Sequence, residues 1–340
     1  PNGGGGAHAL QGDIKAGDVM ILFFDGQYWW FQPNPEINAP IQYNIGAGQH
    51  WPSIAAANEA LRRKTIGANG YVYLYMVPGA GPNAGRYPPI YWNHPSSDRV
   101  MILGGMFGPN PGWNEFALSG NSAGVRAQDA IYNINLLRTR FGTEVVVPYM
   151  GGAGVRNAGP GKLNVVNLLV TGTRPPTILP SWAEEGIHVD HGEAMACTNV
   201  ACWGHHVEFF VTGGGLSASS CHGLNATDRN WLAMGGTMSC WNCSGHSSVF
   251  GWWINDAGTC YGNGNVSYMN EHAGVLSSQG SSVQWWWFIS LGSGFVDLYA
   301  NMGSTLGAVS GQGGPMSVFG PTSPPLGVVG NGNSIVFHAV

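Results

Sequence analysis

The sequence predicts an all-β fold: a parallel β-helix built from short strands, preceded by a capping helix and a small β-hairpin unit. Repetition is the first observation behind this. Gly223-Leu224-Asn225-Ala226, Gly251-Trp252-Trp253-Ile254, Gly274-Val275-Leu276-Ser277 and Gly294-Phe295-Val296-Asp297 each set a short apolar burst behind a glycine, at gaps of 28, 23 and 20 residues. A second series, Asn230-Trp231-Leu232, Ser282-Val283, Ser304-Thr305-Leu306 and Ser334-Ile335, puts a small polar residue just before an apolar one. Degenerate repetition of this period marks a solenoid, and units this short and this poor in helix formers fit rungs of strands and glycine turns. Composition is the second observation. The 340 residues include 54 Gly, only 9% are charged, and 14 Trp, 12 Tyr and 13 Phe are present. That aromatic content excludes a disordered chain, and glycine without a three-residue period excludes collagen and implies many turns.

The same composition excludes several function classes. A net charge of −5 is spread thinly, and Arg62-Arg63-Lys64 is the only basic run. No basic stripe exists to follow phosphates, so nucleic acid is not an expected partner. No stretch approaches the roughly 20 apolar residues needed to span a bilayer, so membrane insertion is not expected; the run from Gln284 to Ile289 is apolar but short. The six cysteines are too sparse for a disulfide scaffold and read as small buried residues of a protein made in a reducing compartment. No cofactor is expected.

Taken in order, residues 1–36 form a first unit. Pro1-Asn2 and the four glycines after them read as a linker, with an upstream segment expected before Pro1. Asp25-Gly26 between two apolar runs is a strong hairpin signal, so a small β attachment unit follows, closed at Pro33 and Pro35. Residues 37–66 hold a linker and the capping helix. Ser53 is the expected N-cap, and Ile54, Asn58 and Leu61 share one helical face with Ala57 and Ala60. The helix would cover the open edge and apolar end of the first rung. The β-helix then occupies 67–340. Tyr71–Met76 alternates, with Val72, Leu74 and Met76 on one side and three tyrosines on the other. Further strands are expected at 90–92, 100–103, 125–134, 144–147, 163–170, 187–189 and 207–211. Gly/Pro loops at 78–89, 150–161 and 172–182 should stand out from the rungs, where binding chemistry usually sits.

Three segments carry a resemblance. The helix, then Gly70 to Gly79, then Pro89 to Gly104 with its His94-Pro95 and Arg99-Val100-Met101-Ile102-Leu103-Gly104, resemble the first rungs of bacteriophage tail-fibre and tailspike proteins with a pectate-lyase-like right-handed β-helix. Ile14 to Val19 with Asp25 to Tyr28 resembles the short β module that precedes such helices, and Gly330 to Val336 resembles their last rung. The resemblance covers most of the chain as a pattern. It implies a right-handed single-stranded coil and a virion-attached homotrimer that binds cell-surface glycans and in some members cleaves them. The Trp285-Trp286-Trp287 run departs from that pattern.

Candidate chemistry is scattered. Polysaccharide hydrolysis needs two neighbouring carboxylates, and Asp228, Asp256 and Glu271 lie in neighbouring repeats as catalytic candidates. Asp also favours turns, and solvated turn positions are the preferred reading of these residues. Ile187 to Glu193 is the densest polar cluster: on a strand His188 and Asp190 share the outward side, which is read as an ordinary exposed polar strand face in preference to a base with its orienting group or part of a metal site, and no metal is expected. His205-His206 and Glu208 follow one rung later. Cys240-Trp241-Asn242-Cys243 has CxxC spacing but lacks the second pair or βαβ context that would give it a role. Trp252, Trp253, Trp285, Trp286 and Trp287 cannot all point inward, because neighbours in a strand face opposite ways. They are the candidates for glycan or subunit contact.

The expected function is a phage tail-fibre or tail-tip adhesin. Its expected partners are two further copies of itself, an upstream tail or baseplate protein, and a host polysaccharide or lipopolysaccharide. The site of action is the virion tail, outside the cell after synthesis in the host cytoplasm. The rivals are a tailspike depolymerase on the same scaffold and a structural adaptor or spacer without a receptor.

Overall fold

A computed structural model of the chain describes residues 20–24, 29–33, 36–62, 64–79, 85–108, 133–149, 151–173, 184–291, 293–294, 296–309, 317–319, 326–330 and 335–339. Most described segments are strands. Tyr71–Met76 shows why: Val72, Leu74 and Met76 are sealed inside while the tyrosines between them are half-buried on the outside. That period-2 pattern recurs along the chain, and within the coil the strands pair in parallel with those one coil before and one coil after.

The pairings make a 16-stranded sheet and a 9-stranded sheet, both wholly parallel. The chain visits three faces in constant order. The first face begins with Pro40–Ile45, Tyr71–Met76 and Val100–Leu103 and continues through Gly215–Ser219, Thr237–Trp241 and Thr305–Val309. The second carries Gly85–Tyr87, Thr143–Val147, His222–Leu224 and Ser244–His246. Long strands such as Ala194–Trp203 and Thr259–Tyr268 bend from the first face onto the second. The third face is the 9-stranded sheet, from Ile90–Trp92 to Leu326–Gly330. Each of its nine strands closes one coil. This is the winding expected of a parallel β-helix.

In the middle coils the period is regular. Leu216 stacks on Met238, Met238 on Cys260 and Cys260 on Val283, steps of 22, 22 and 23 residues. Only part of the repeat read from the sequence follows this register. Gly251 and Gly274 occupy equivalent places on the third face, whereas Gly223 belongs to the second face, stacked on Gly245. The 28-residue gap mixes two faces, and the 20-residue gap arises because Asp297, not Gly294, is the in-register partner of Gly274.

One corner is turned by single residues. Between the first and second faces Asn167, Asn199, Ser220, Asn242 and Gly264 stack in register, all with φ between +52° and +70°. One left-handed residue bends a strand without a loop, and Asn tolerates that conformation best after Gly. The Asn199 side chain donates to Asn167 Oδ1 at 3.2 Å, joining two coils at this corner.

The helix Ile54–Leu61 forms where expected, with Ser53 Oγ accepting from Ala56 N at 3.2 Å. Ile54, Ala57 and Leu61 are buried; Ala60 faces solvent, and Asn58 instead donates to Asn93 Oδ1 at 2.8 Å. The His94 to Arg99 run has a local job. His94 Nε2 meets the Leu61 and Lys64 carbonyls at 3.0 and 3.2 Å, and Arg99 donates to the carbonyls of Gly67 and Ala68. These contacts tie the end of the helix, whose last carbonyls lack partners within it, and the segment after it to the first coil. Met20–Phe24 and Trp29–Pro33 pair antiparallel as the expected hairpin, whose Asp25-Gly26 turn lies outside the described residues.

Three expectations fail, the first being the loop at 78–89, which contains the second-face strand Gly85–Tyr87. Residues 133–140 are a helix, Asn133–Arg140, and not part of a strand; 125–132 lie outside the described residues. Leu137 and Phe141 bury against Leu169, Ala201, Trp203 and Leu224, on the outer side of the second face. Arg138 pins this helix, donating to the buried Glu144 at 2.8 Å; Thr171 donates to the same carboxylate at 2.8 Å. The expected loop at 150–161 contains the strand Gly152–Asn157, whose glycine and arginine masked its alternation. Of the loop at 172–182, residues 174–182 lie outside the described residues.

The core is one column along the coil. Phe209 stacks on Trp231 at 3.9 Å and Trp231 on Trp252 at 4.5 Å, both with nearly parallel ring planes. Trp285 meets Trp252 edge-on at 4.9 Å and Phe288 at 4.5 Å. All six cysteines are buried and unbridged, so the CxxC pair forms part of the packed interior. Among the described residues no helix is long and apolar enough to cross a membrane.

Candidate functional site on the third face

The third face places its polar residues by register. Glu185, Val207, Arg229 and Phe250 are in-register partners in successive coils; so are His188, Phe210, Leu232 and Trp253. The inner positions between them, Ile187, Phe209, Trp231 and Val189, are fully buried. Alternation therefore turns His188, Phe210 and Trp253 outward. The adjoining corner adds His206 and Asp228.

Two linked groups result. In the first, Glu185 Oε2 lies 2.5 Å from His188 Nδ1. That contact orients the ring, whose Nε2 lies 3.5 Å from the Thr212 hydroxyl oxygen. Thr212 donates to Asp190 Oδ1 at 2.9 Å, and Arg156 donates to Asp190 Oδ2 at 3.0 Å. Hydrogen bonds from the His191 ring and backbone hold the Asp190 carboxyl well below the usual carboxylate range, with Thr212 and His188 adding to the effect against partial burial. In the second group, Asp228 Oδ2 accepts from Arg229 at 3.1 Å and lies 3.4 Å from His206 Nε2. The Arg229 guanidinium stacks over Trp253 at 4.0 Å, a cation–π contact. Burial pushes Arg229 down from its ordinary value, opposed by Asp228. Phe250 packs on Trp253 at 4.9 Å and on His272 at 5.2 Å.

The strip therefore combines an oriented, half-buried imidazole, the half-buried carboxylates of Asp190 and Asp228, the largely buried Glu185 and Arg229, and half-buried rings. Rings offer faces to sugar C–H groups, and carboxylates and guanidinium offer directed hydrogen bonds to hydroxyls. Glu185–His188 also has the form of a general base with its orienting group.

Of the sequence candidates, Asp228, His188, Asp190 and Trp253 belong to this strip. The orienting partner of His188 is Glu185, three residues earlier, and not Asp190. Asp256 lies at the opposite end of a third-face strand, ~20 Å along the pleat from the corner that carries Asp228. Glu271 is exposed near the same corner as Asp228 but about two coils on. The three acids are not one constellation. Trp252 and Trp285 are sealed in the core, 0% and 1% exposed, so neither reaches a glycan or another subunit. Trp286 is outward and exposed on the first face; the Trp287 side chain lies outside the described residues. No three His, Cys, Asp or Glu among the described residues are placed to hold a metal ion, so His188 and Asp190 gain no third ligand. His205 pairs with Glu208 at 2.5 Å in full burial, as a structural pair.

Glu185, Thr212, Phe210 and Arg229 were missed. The 21- to 23-residue register would have found them, since it aligns Glu185 with Arg229 and His188 with Phe210 and Trp253. No family model matches the chain, and no curated protein or solved structure matches it.

Proposed function

We propose that the chain is a phage tail-fibre or tail-tip adhesin: a right-handed, single-stranded parallel β-helix whose third-face strip binds a host surface glycan. The observation that carries this reading is the strip itself, where Arg229 stacked on Trp253 lies beside Asp228, and Phe210 beside the Glu185–His188 pair. Rings and charged hydrogen-bonding groups at a rigid surface are what sugar recognition uses. The rest of the reading rests on the resemblance: a homotrimer, carried by an upstream tail protein and acting outside the cell. The trimer draws further support from the first face of the early coils, where Tyr71, Tyr73, Tyr75, Met101 and Leu103 make a half-buried apolar patch suited to a partner subunit.

A glycan array with product analysis tests the reading. Binding is expected, lowered at least tenfold by Trp253→Ala and by His188→Ala, with no shortened or unsaturated products. Absence of binding to any bacterial surface glycan overturns the adhesin. Release of oligosaccharides, lost in Glu185→Gln, would replace it with the depolymerase that the Glu185–His188 pair favours. A stable monomer in sedimentation removes the trimer.

A further inference from the structure

The outer side of the first face in the later coils has a different chemistry. The strands Gly215–Ser219 and Thr237–Trp241, residues 259–263 and 282–286, and Thr305–Val309 contain no charged residue. Their pairing is continuous and without a bulge. One outward column carries hydroxyls, Thr237, Thr259, Ser282 and Thr305, linked in pairs at 3.1 and 3.0 Å. Beside it stand Trp241, Tyr261 and Trp286, exposed at 41%, 42% and 44%. Trp241 and Trp286 are in one column with Asn263 between them. Two strand spacings therefore separate them, ~9.6 Å along the coil axis. Tyr261 sits on the intervening strand, two residues to the side. Trp241 is fixed by a 2.9 Å hydrogen bond from its indole N–H to Ser239 Oγ.

From this geometry we infer a second binding surface, for an extended, neutral, β-linked polysaccharide lying parallel to the coil axis. Two pyranose rings of an extended β-linked chain span about the Trp241–Trp286 distance, so alternate sugars meet a ring face. The hydroxyl column lies alongside to bond sugar hydroxyls. The absence of Lys and Arg leaves nothing to recognise an acidic polymer, and the absence of Asp and Glu nothing for a cationic one. A subunit contact would be contiguous and apolar at its centre; here the polar Ser239, Asn263 and Gln284 interleave with the three rings. This surface is separate from the third-face strip and does not depend on that strip binding anything.

Native gels cast with hydroxyethylcellulose, mixed-linkage β-glucan or glucomannan test the inference on the full chain, with alginate and glycol chitosan gels as charged comparisons. Retardation in at least one neutral gel is expected. Trp241→Ala and Trp286→Ala should each weaken it about tenfold and together abolish it. Tyr261→Ala should weaken it less, and Met302→Ser, at an exposed corner, should not change it. The rings are on the surface, so the variants should keep the parent melting curve. The inference is overturned if no neutral polymer retards the protein. It is also overturned if retardation survives in the double variant, if only charged gels retard it, or if the double variant lowers the native mass, which would make the face a subunit contact.

Discussion

Between the third and eighth coils the first and third faces are built alike on the inside and unlike on the outside. Inward, Met238, Cys240 and Cys260 on one face and Phe209, Trp231 and Trp252 on the other are all essentially inaccessible. On its outer side the third face carries His188 and Trp253, each linked to a largely buried charged partner, Glu185 and Arg229, whereas the first carries threonines, serines and three isolated rings. The inner positions fix the coil. The outer ones are held at the same spacing whatever they are, so each face can acquire its own chemistry.

The largest expected effect tests the shared interior. Trp231→Ala empties a site stacked from both sides and should cost ~3–5 kcal/mol in denaturant unfolding; a loss under 1 kcal/mol would mean the column does not hold the coil. The next concerns pH. Burial, helped by His222, pushes His246 down to about 3. The unfolded chain takes up that proton near pH 6.5, and the folded one only near pH 3. Stability from this residue is complete above pH 6.5 and falls as pH drops through that window. On the order of 3 kcal/mol should be lost between pH 7 and 4. His246→Phe should flatten that part of the stability curve; an unchanged slope excludes the residue as its source.

Smaller effects separate the two outsides. His188→Ala leaves Glu185 without its partner and should cost about 1–2 kcal/mol. Thr259→Ala on the first face should cost ~0.5 kcal/mol or less, as a single exposed hydroxyl contact. Equal costs would show that the third-face pairs are no more integrated than the hydroxyl column. The smallest stability effect is at Trp241 and Trp286, where alanine should stay within ~0.5 kcal/mol of the parent.

Much of the fold was legible because its signals are local. Tyr71–Met76 alternates over six residues, Ser53 caps a helix eight residues long, and both stand as expected. The Asn133–Arg140 helix was not legible, since its apolar side packs on Leu169, Ala201 and Trp203, which are remote in sequence. The site was half legible. His188 and Asp190 stand out in a polar cluster, but Arg229 and Trp253 join them only through the coil register, and that register was blurred by reading Gly223 and Gly251 as one series. The same blur hid that Trp252 lies inside while Trp253 lies outside.

Sealing all six thiols in the interior has a practical consequence. Burial pushes Cys197 and Cys202 far above the ordinary thiol range, so they present neither thiolate nor surface to an alkylating reagent. Labelling must wait for a coil to open, which makes the cysteines built-in clocks of unwinding. Because they are distributed from Cys197 to Cys260, the order in which they react tells from which end the coil comes apart.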